Sequence, residues 1–360
     1  LQQNPYCWIS LKKLISCFLV SSALLCGCTV YTPSSYQPGL YSATTGLRLV
    51  SDSLPTVYAG WPDYKVVRFE RQACRDTFRL PFLHGSFYDM KKPYPTGAVW
   101  IDNANVWLDE AEISNQEWRQ YEWHRAKAGV PLAALAPSAA AQPVADYYTN
   151  GFYNYYPVVG ISYEQAQAFC KWRGRVVTEL LNQKQHLTPA DTLNPAYVRC
   201  QYRLPTESEW EAAAAVRSNL PFGTACASLP VQIVPKAAAY LKQRSGSTKS
   251  AGEIQADILA YNQTHPTLSI LNYAQESPYF LRTATPSYVY QGPANYYGLY
   301  QMLGNAAEMV QEKGITKGGS YRDALNDCRI KARGTYTGPT HYIGFRAAAV
   351  VTRPNQPPTN

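Results

Sequence analysis

The C-terminal third of the chain, 271–350, is dense in aromatics and glycine, and within it KGGSYRDALNDC (317–328) constrains the fold most. Gly318-Gly319 followed by Ser320 and Tyr321 reads as a backbone-controlled turn feeding a strand, because paired glycines reach φ values that other residues avoid. The residues just beyond the turn decide the chemistry. A redox site needs two thiols, since one thiol can neither close a disulfide nor make a two-coordinate Cu(I) bis-thiolate. Cys328 supplies one thiol, and at C-x4-C spacing before it stands an acid, Asp323, in place of a second.

The N-terminus reads as a targeting segment rather than part of a fold. Lys12-Lys13 give a positive start, and Leu14–Leu25 gives an apolar run too short for a membrane span of roughly 20 residues. Leu25-Cys26-Gly27-Cys28 then reads as a lipobox, with 1–27 as signal peptide and Cys28 as the lipidated residue. An ordinary cleaved signal ending near Cys26-Gly27 is the alternative. Leu1 in place of Met marks a fragment or a misread start. Diacylation of Cys28 anchors a protein to a bilayer without spanning it. Thr29 is not acidic, so an inner-membrane retention signal is missing and an outer-membrane location is expected, periplasmic or surface face open. No later apolar run approaches spanning length, and the remainder is expected to be soluble.

About 333 residues lie beyond the signal, enough for one large domain with insertions or two small ones. The charge is +8, with no Lys/Arg cluster dense enough to argue for nucleic acid. The 29 tyrosines suit a loop-rich fold with many buried hydroxyl hydrogen bonds, not a helical bundle. Of nine cysteines, Cys74, Cys170, Cys200, Cys226 and Cys328 remain beyond the signal and the lipidation site. Five is odd, so in an oxidising compartment at least one is free or pairs between chains. None has CxxC or Cys/His spacing, which argues against zinc.

In chain order, 28–65 is a Ser/Thr/Pro/Tyr-rich tether and 66–352 the domain, with 353–360 a tail. Ser114 with Glu117 reads as a capping box opening a helix through Trp118, Tyr121 and Trp123. Residues 124–150 read as an Ala/Pro-rich surface insertion. Pro157–Gly160 reads as a buried strand leading into a helix capped by Ser162 and Gln165, in which Cys170 packs as a small apolar residue. Thr206 with Glu209 is a further capping box, opening a short Ala-rich helix through Glu211–Val216, and 217–270 reads as a second, irregular insertion.

Several segments together resemble the formylglycine-generating enzyme (sulfatase-modifying factor) family. They are Glu112-Ile113-Ser114-Asn115; Pro157–Ser162 with Ala166, Cys170 and Trp172; and Tyr202–Glu211, read YRLPTESEWE. Gly298–Asn305 with Glu308, then Gly318-Gly319-Ser320 and Gly344-Phe345-Arg346, complete the set. The resemblance implies an α+β, C-type-lectin-like variant fold with little regular secondary structure. Its oxidases use a cysteine pair after GGS[WY]. Only the position of Cys328 keeps its thiol, the other being Asp323, so formylglycine chemistry through copper is not implied here. The iron motif of the family's sulfoxide synthases is not found among His84, His124, His186, His265 and His341. The family also binds structural Ca2+, which would fall on Asn305 and Glu308 with Asn272 nearby. Its usual bridge to Cys170 would start at Ala347, so that disulfide is not expected.

The chain is most similar to gliding-motility and type IX secretion lipoproteins of Bacteroidota, which carry this domain without the catalytic cysteines. Tyr155–Gly160, Cys170-Lys171-Trp172-Arg173 running into a long helix to Leu187, Lys317–Asp323 and Tyr342–Arg346 carry this likeness. It implies a non-catalytic outer-membrane lipoprotein, held to lipid through Cys28, that binds protein partners in an envelope assembly. An oxidase pairing Cys328 with Cys200 or Cys226 is one alternative. A lectin-like binder stacking sugars on Tyr147–Tyr156 and Tyr288–Tyr300 is another.

Overall fold

The computed structural model describes residues 42–47, 67–69, 95–223, 228–233, 238–245, 247–264, 267–269, 271–274, 285–291, 294–295 and 297–354. The signal segment with Cys28, the tether apart from 42–47, Cys74, Cys226 and most of the tail lie outside these residues. Helices α1 to α5 span Asn115–Lys127, Tyr163–Gln183, Glu207–Ala215, Ala238–Ser245 and Ala251–Thr264. Strands β1 to β6 span Val67–Phe69, Ala98–Ile101, Val106–Asp109, Arg199–Arg203, Ser228–Ile233 and Thr267–Ser269. Strands β7 to β11 span Ala307–Met309, Ile315–Lys317, Gly334–Thr335, Ile343–Gly344 and Ala348–Thr352. No helix among the described residues is long and apolar enough to cross a membrane.

One sheet orders as β2-β3-β11-β4, all antiparallel, with Ala348 opposite both Leu108 and Arg203. Alternation along it places Val106 and Leu108 in the core. Helix α2 lies against β4 because Gly174 presents no side chain there. A Cβ at Gly174 would stand 3.0 Å from the Cys200 carbonyl oxygen. The helix starts cleanly: Ser162 Oγ accepts from Gln165 N–H while the Gln165 side chain accepts from Ser162 N–H, as the sequence predicts. Its inward face stacks Phe169 on Trp118 of α1 at 5.5 Å, and Phe345 meets both rings edge-on. Cys170 and Cys200 pack in this cluster as buried thiols without a disulfide.

A second sheet orders as β10-β7-β8-β9, with β10 and β7 parallel and the rest antiparallel. Between the two sheets sits a core of Ile101, Leu108, Trp210, Leu299, Leu303 and Val310. The structure is thus α+β with short elements, as expected.

Four local readings are corrected. Residues 157–160 form no strand; they make only the isolated bridge Ser114↔Pro157, although all four are buried. The KGGS glycines leave strand β8 and enter a single 3-10 turn, Leu325–Cys328, rather than feeding a strand. The 124–150 segment is pinned to the core, with Leu135 and Tyr147 buried. Trp118 Nε1 donates to Leu135 O at 3.1 Å and Tyr147 OH to Pro157 O at 2.7 Å. Finally, 217–270 is not irregular, because β5 pairs with β1 and β6 and helices α4 and α5 pack together. Its missed signal was a reciprocal Ser250–Glu253 cap followed by buried Ile254 and Ile258 at helical spacing.

Candidate functional site

Two hairpin-like segments meet at the base of the 317–328 stretch. Gly304 donates its N–H to Gly318 O at 2.8 Å, and Tyr321 N–H donates to Asn305 O at 2.9 Å. Only glycine suits Gly318, which has φ +85° and where a Cβ would lie 2.8 Å from Met302 O and 3.1 Å from the Trp210 ring. Gly319 has φ +65°, and a Cβ there would lie 2.7 Å from the Cys328 sulfur. The glycines therefore let the turn pack against Trp210 on one side and Cys328 on the other.

Asp323 is occupied as a turn lock. Its Oδ2 accepts from Ser320 N–H at 2.8 Å and from Ser320 Oγ at 2.6 Å, a local side-chain turn typical of Asp. Cys328 is fully buried. Burial, with the nearby Asp323 and Asp327 charges, pushes its thiol up to about 12. At neutral pH the thiol is then held protonated, away from the thiolate form that reacts or binds metal. Burial likewise raises Cys170 and Cys200 to about 12, with Arg173 opposing. The proposed thiol partner Cys200 sits on β4 in the Trp118–Phe169 cluster, and Cys226 lies outside the described residues.

Behind the turn lies a buried charge centre. Glu308 on β7 accepts from Arg346 Nε at 2.7 Å and Nη2 at 2.6 Å, and from Trp210 Nε1 at 2.7 Å. Arg346 also donates from Nη1 to Asp109 O and from Nη2 to Tyr300 O. The RLPTESEWE segment is thus explained: its capping box (Thr206, Glu209) starts α3, and α3 delivers Trp210 to Glu308. Nearby, Glu112 accepts from Asn305 Nδ2 at 2.7 Å and Ala306 N–H at 3.0 Å. Burial, and then the Glu308 charge, hold its carboxyl well above the usual range.

The Ca2+ that the resemblance implies does not fit these donors. Asn305 Oδ1 accepts from Ser287 N–H at 2.6 Å and Asn272 Nδ2 at 3.1 Å, so the structure does join Asn305 with Asn272. Glu308, however, gives both oxygens to Arg346. Spacing of i, i+3 places the two side chains in different networks because Asn305, at φ +66°, turns the chain before β7 begins. Calcium needs six or more converging oxygens. Among the described residues no group of three His, Cys, Asp or Glu is placed to hold a metal. Copper fares no better on a single buried thiol.

Sequence reasoning missed a second assembly. Ser114 caps α1 by accepting from Glu117 N–H, but the Glu117 carboxylate does not return to complete the box. It accepts instead from Ser42 Oγ (2.5 Å), Ala43 N–H (2.8 Å) and Thr44 Oγ1 (2.5 Å). Arg173 of α2 seals the same segment, donating from Nε to Thr44 O at 2.7 Å and bidentately to Asp109 at 2.6 Å. Residues 42–47, expected to be free tether, are thereby fastened to the domain. Ser42, Thr44 and Thr45, close together, were the available signal, being hydroxyl donors suited to a carboxylate. Beside this clamp, Gln116, Glu112 and Tyr288 line a small cavity.

Over residues 65–351 the chain matches the sulfatase-modifying factor enzyme 1-like domain. Similar solved structures include variable protein 1 of Treponema denticola, at 16% identity over 70% of this chain and 91% of that one, with a TM-score of 0.35. CarF aligns at 16% identity over 70% and 87%, with a TM-score of 0.35. PvdO from Pseudomonas aeruginosa aligns at 18% over 68% and 80%, with a TM-score of 0.38. No curated protein matches. Fold and buried charge centre define an α+β domain of short elements held by polar networks. The chain belongs to the sulfatase-modifying factor enzyme 1-like family.

Proposed function

We propose that this chain is a non-catalytic outer-membrane lipoprotein, anchored through Cys28, that serves as a scaffold in a gliding-motility or type IX secretion assembly. The observation that carries the non-catalytic part is the state of Cys328. Its thiol is fully buried and protonated, and the position that would supply a second thiol holds Asp323, committed to Ser320. A peptide cysteine has no thiolate to exchange with and no soft two-ligand site for Cu(I). The assembly and membrane parts rest on the lipobox and on the lipoprotein-like segments of the sequence.

Crosslinking in intact envelopes with subsequent affinity purification tests this reading. Secretion or gliding components should be recovered, and deletion of the gene should stop export of the assembly's cargo. Recovery of monomer alone, with cargo export intact, would sink the assembly role. Separately, Cys328→Ser should leave both readouts unchanged. Oxidation of a cysteine peptide by the wild type but not by this variant would overturn the non-catalytic assignment.

A further inference from the structure

Among the described residues, every donor to the Glu117 carboxylate belongs to the 42–47 segment. Ser42 and Thr44 give it their hydroxyls and Ala43 its N–H, and Glu117 is only 5% exposed. The receiving half is held together without the segment. Arg173, fully buried on α2, donates to both oxygens of Asp109 and to Thr96 O, which leaves its Nε for Thr44 O at 2.7 Å. Gly97 makes room for the incoming backbone, since a Cβ there would lie 2.1 Å from Ala43 O. Helices α1 and α2, the end of β3 and Gly97 thus build one receptor for a short piece of chain.

The segment is also closed by its own hydrogen bonds. Ser42 N–H donates to Leu47 O at 2.8 Å, Gly46 N–H to Ser42 O at 2.9 Å and Thr45 N–H to Ser42 Oγ at 2.9 Å. Gly46, at φ +75°, permits the reversal. Such a turn is specified by the pattern Ser-x-Thr-Thr-Gly rather than by its place in this chain, so another polypeptide with that pattern can present it. Its contacts to the receptor are hydrogen bonds to a carboxylate and from a guanidinium, and an incoming turn with the same hydroxyls replaces them one for one. Withdrawal without replacement would strand a buried carboxylate with no donor, so the receptor favours refilling by the same chemistry.

We propose that the Glu117–Arg173 receptor is a binding site for a hydroxyl-bearing Ser-x-Thr-Thr-Gly turn, filled in cis by 42–47 and open to the same turn on another polypeptide when that segment is withdrawn. The attached turn competes at an effective concentration on the order of millimolar, so it masks the site in the folded chain. The site is separate from the 317–328 turn and does not depend on the scaffold reading.

Ser42→Glu in the full chain tests it, because it sets a carboxylate against Glu117 and ejects the segment while leaving the receptor's own residues untouched. Fluorescence anisotropy reads the site with two labelled peptides of residues 40–49, one natural and one carrying Ser42→Ala and Thr44→Val. The variant should bind the natural peptide at least tenfold more tightly than the wild-type chain does. It should also prefer that peptide at least tenfold over the one without hydroxyls. Given such binding, sedimentation of the wild type names the source: a dimer that forms with concentration and is lost in Ser42→Glu assigns the turn to a second copy, and a monomer throughout assigns it to a different polypeptide. No binding by the folded variant, equal binding of both peptides, or equal binding by variant and wild type would overturn the proposal and leave 42–47 a structural strap. If Ser42→Glu fails to fold, the wild type serves in a millimolar excess of peptide. Cleavage within 42–47 should then speed at least tenfold with the natural peptide and not with the other, and unchanged cleavage would overturn the proposal equally.

Discussion

Among the described residues two arginines are fully buried, Arg173 and Arg346, and they close different parts of the molecule. Arg346 takes its carboxylate from the adjacent strand: Glu308 lies opposite Gly344 in the parallel β7–β10 pair, so a two-strand register brings the charges together. Arg173 gathers three distant segments instead. It donates to Thr44 O, Thr96 O and both oxygens of Asp109, and its guanidinium lies 4.0 Å above the Tyr202 ring. The first arginine fixes a local turn; the second fastens the leading segment onto the domain. Asp109 joins them, since its carboxylate also accepts from Ala347 N–H and its carbonyl from Arg346.

The largest effect should come from breaking the local pair. Arg346→Met leaves Glu308 buried with only the Trp210 N–H and should lower unfolding free energy by about 3–5 kcal/mol in denaturant titration. Adding Glu308→Gln removes the stranded charge and should recover a good part of that loss. A single variant within ~1 kcal/mol of wild type would show that the pair does not hold the turn.

Arg173→Lys should do less globally and more locally. A lysine keeps one contact to Asp109 but gives up the planar fork and the two carbonyls, at about 2–3 kcal/mol. The specific readout is limited proteolysis within 42–47, protected in the wild type and cleaved early in the variant while the domain stays intact. If protection survives, Glu117 alone holds the segment, and the contrast between the two arginines narrows to their carboxylates.

This contrast also explains which residues were legible in the sequence. The caps at Ser162 and Thr206 could be read because their partners lie in the same short motif, and the paired glycines and GFR could be read as family motifs. Family membership and the α+β class came from them. Residues whose roles depend on distant segments could not. The spacing of Ser114 and Glu117 suggests a closed capping box, yet Glu117 is drawn to hydroxyls more than 70 positions earlier. Asn305 and Glu308 suggest a shared cation site, but a register-fixed arginine claims the carboxylate first. Helix α5 was missed for a different reason, because a Gly/Ser/Lys patch hid its reciprocal cap.

The smallest effect distinguishes the two parts by their thiols. Cys170 and Cys200 lie near Arg173, whereas Cys328 lies against the turn that packs on Trp210, and burial raises each to about 12. An unfolded thiol titrates near ~8.5, so the native state holds these protons more tightly. Each thiol's contribution to stability is complete below that pH and is lost as pH rises through the alkaline range toward 12. The slope is about 1.4 kcal/mol per pH unit for each thiol. Comparing wild type with Cys328→Ala between pH 8 and 10 isolates one of them and should show a shallower fall in the variant, by about 1–2 kcal/mol. Parallel curves would mean that Cys328 titrates as an exposed thiol, which contradicts its burial and reopens thiol chemistry at the turn. Alkylation rates at neutral pH then order the two parts. Faster labelling of Cys328 than of Cys170 and Cys200 would identify the Arg346 part as the first to open, and the reverse order would identify the part fastened by Arg173.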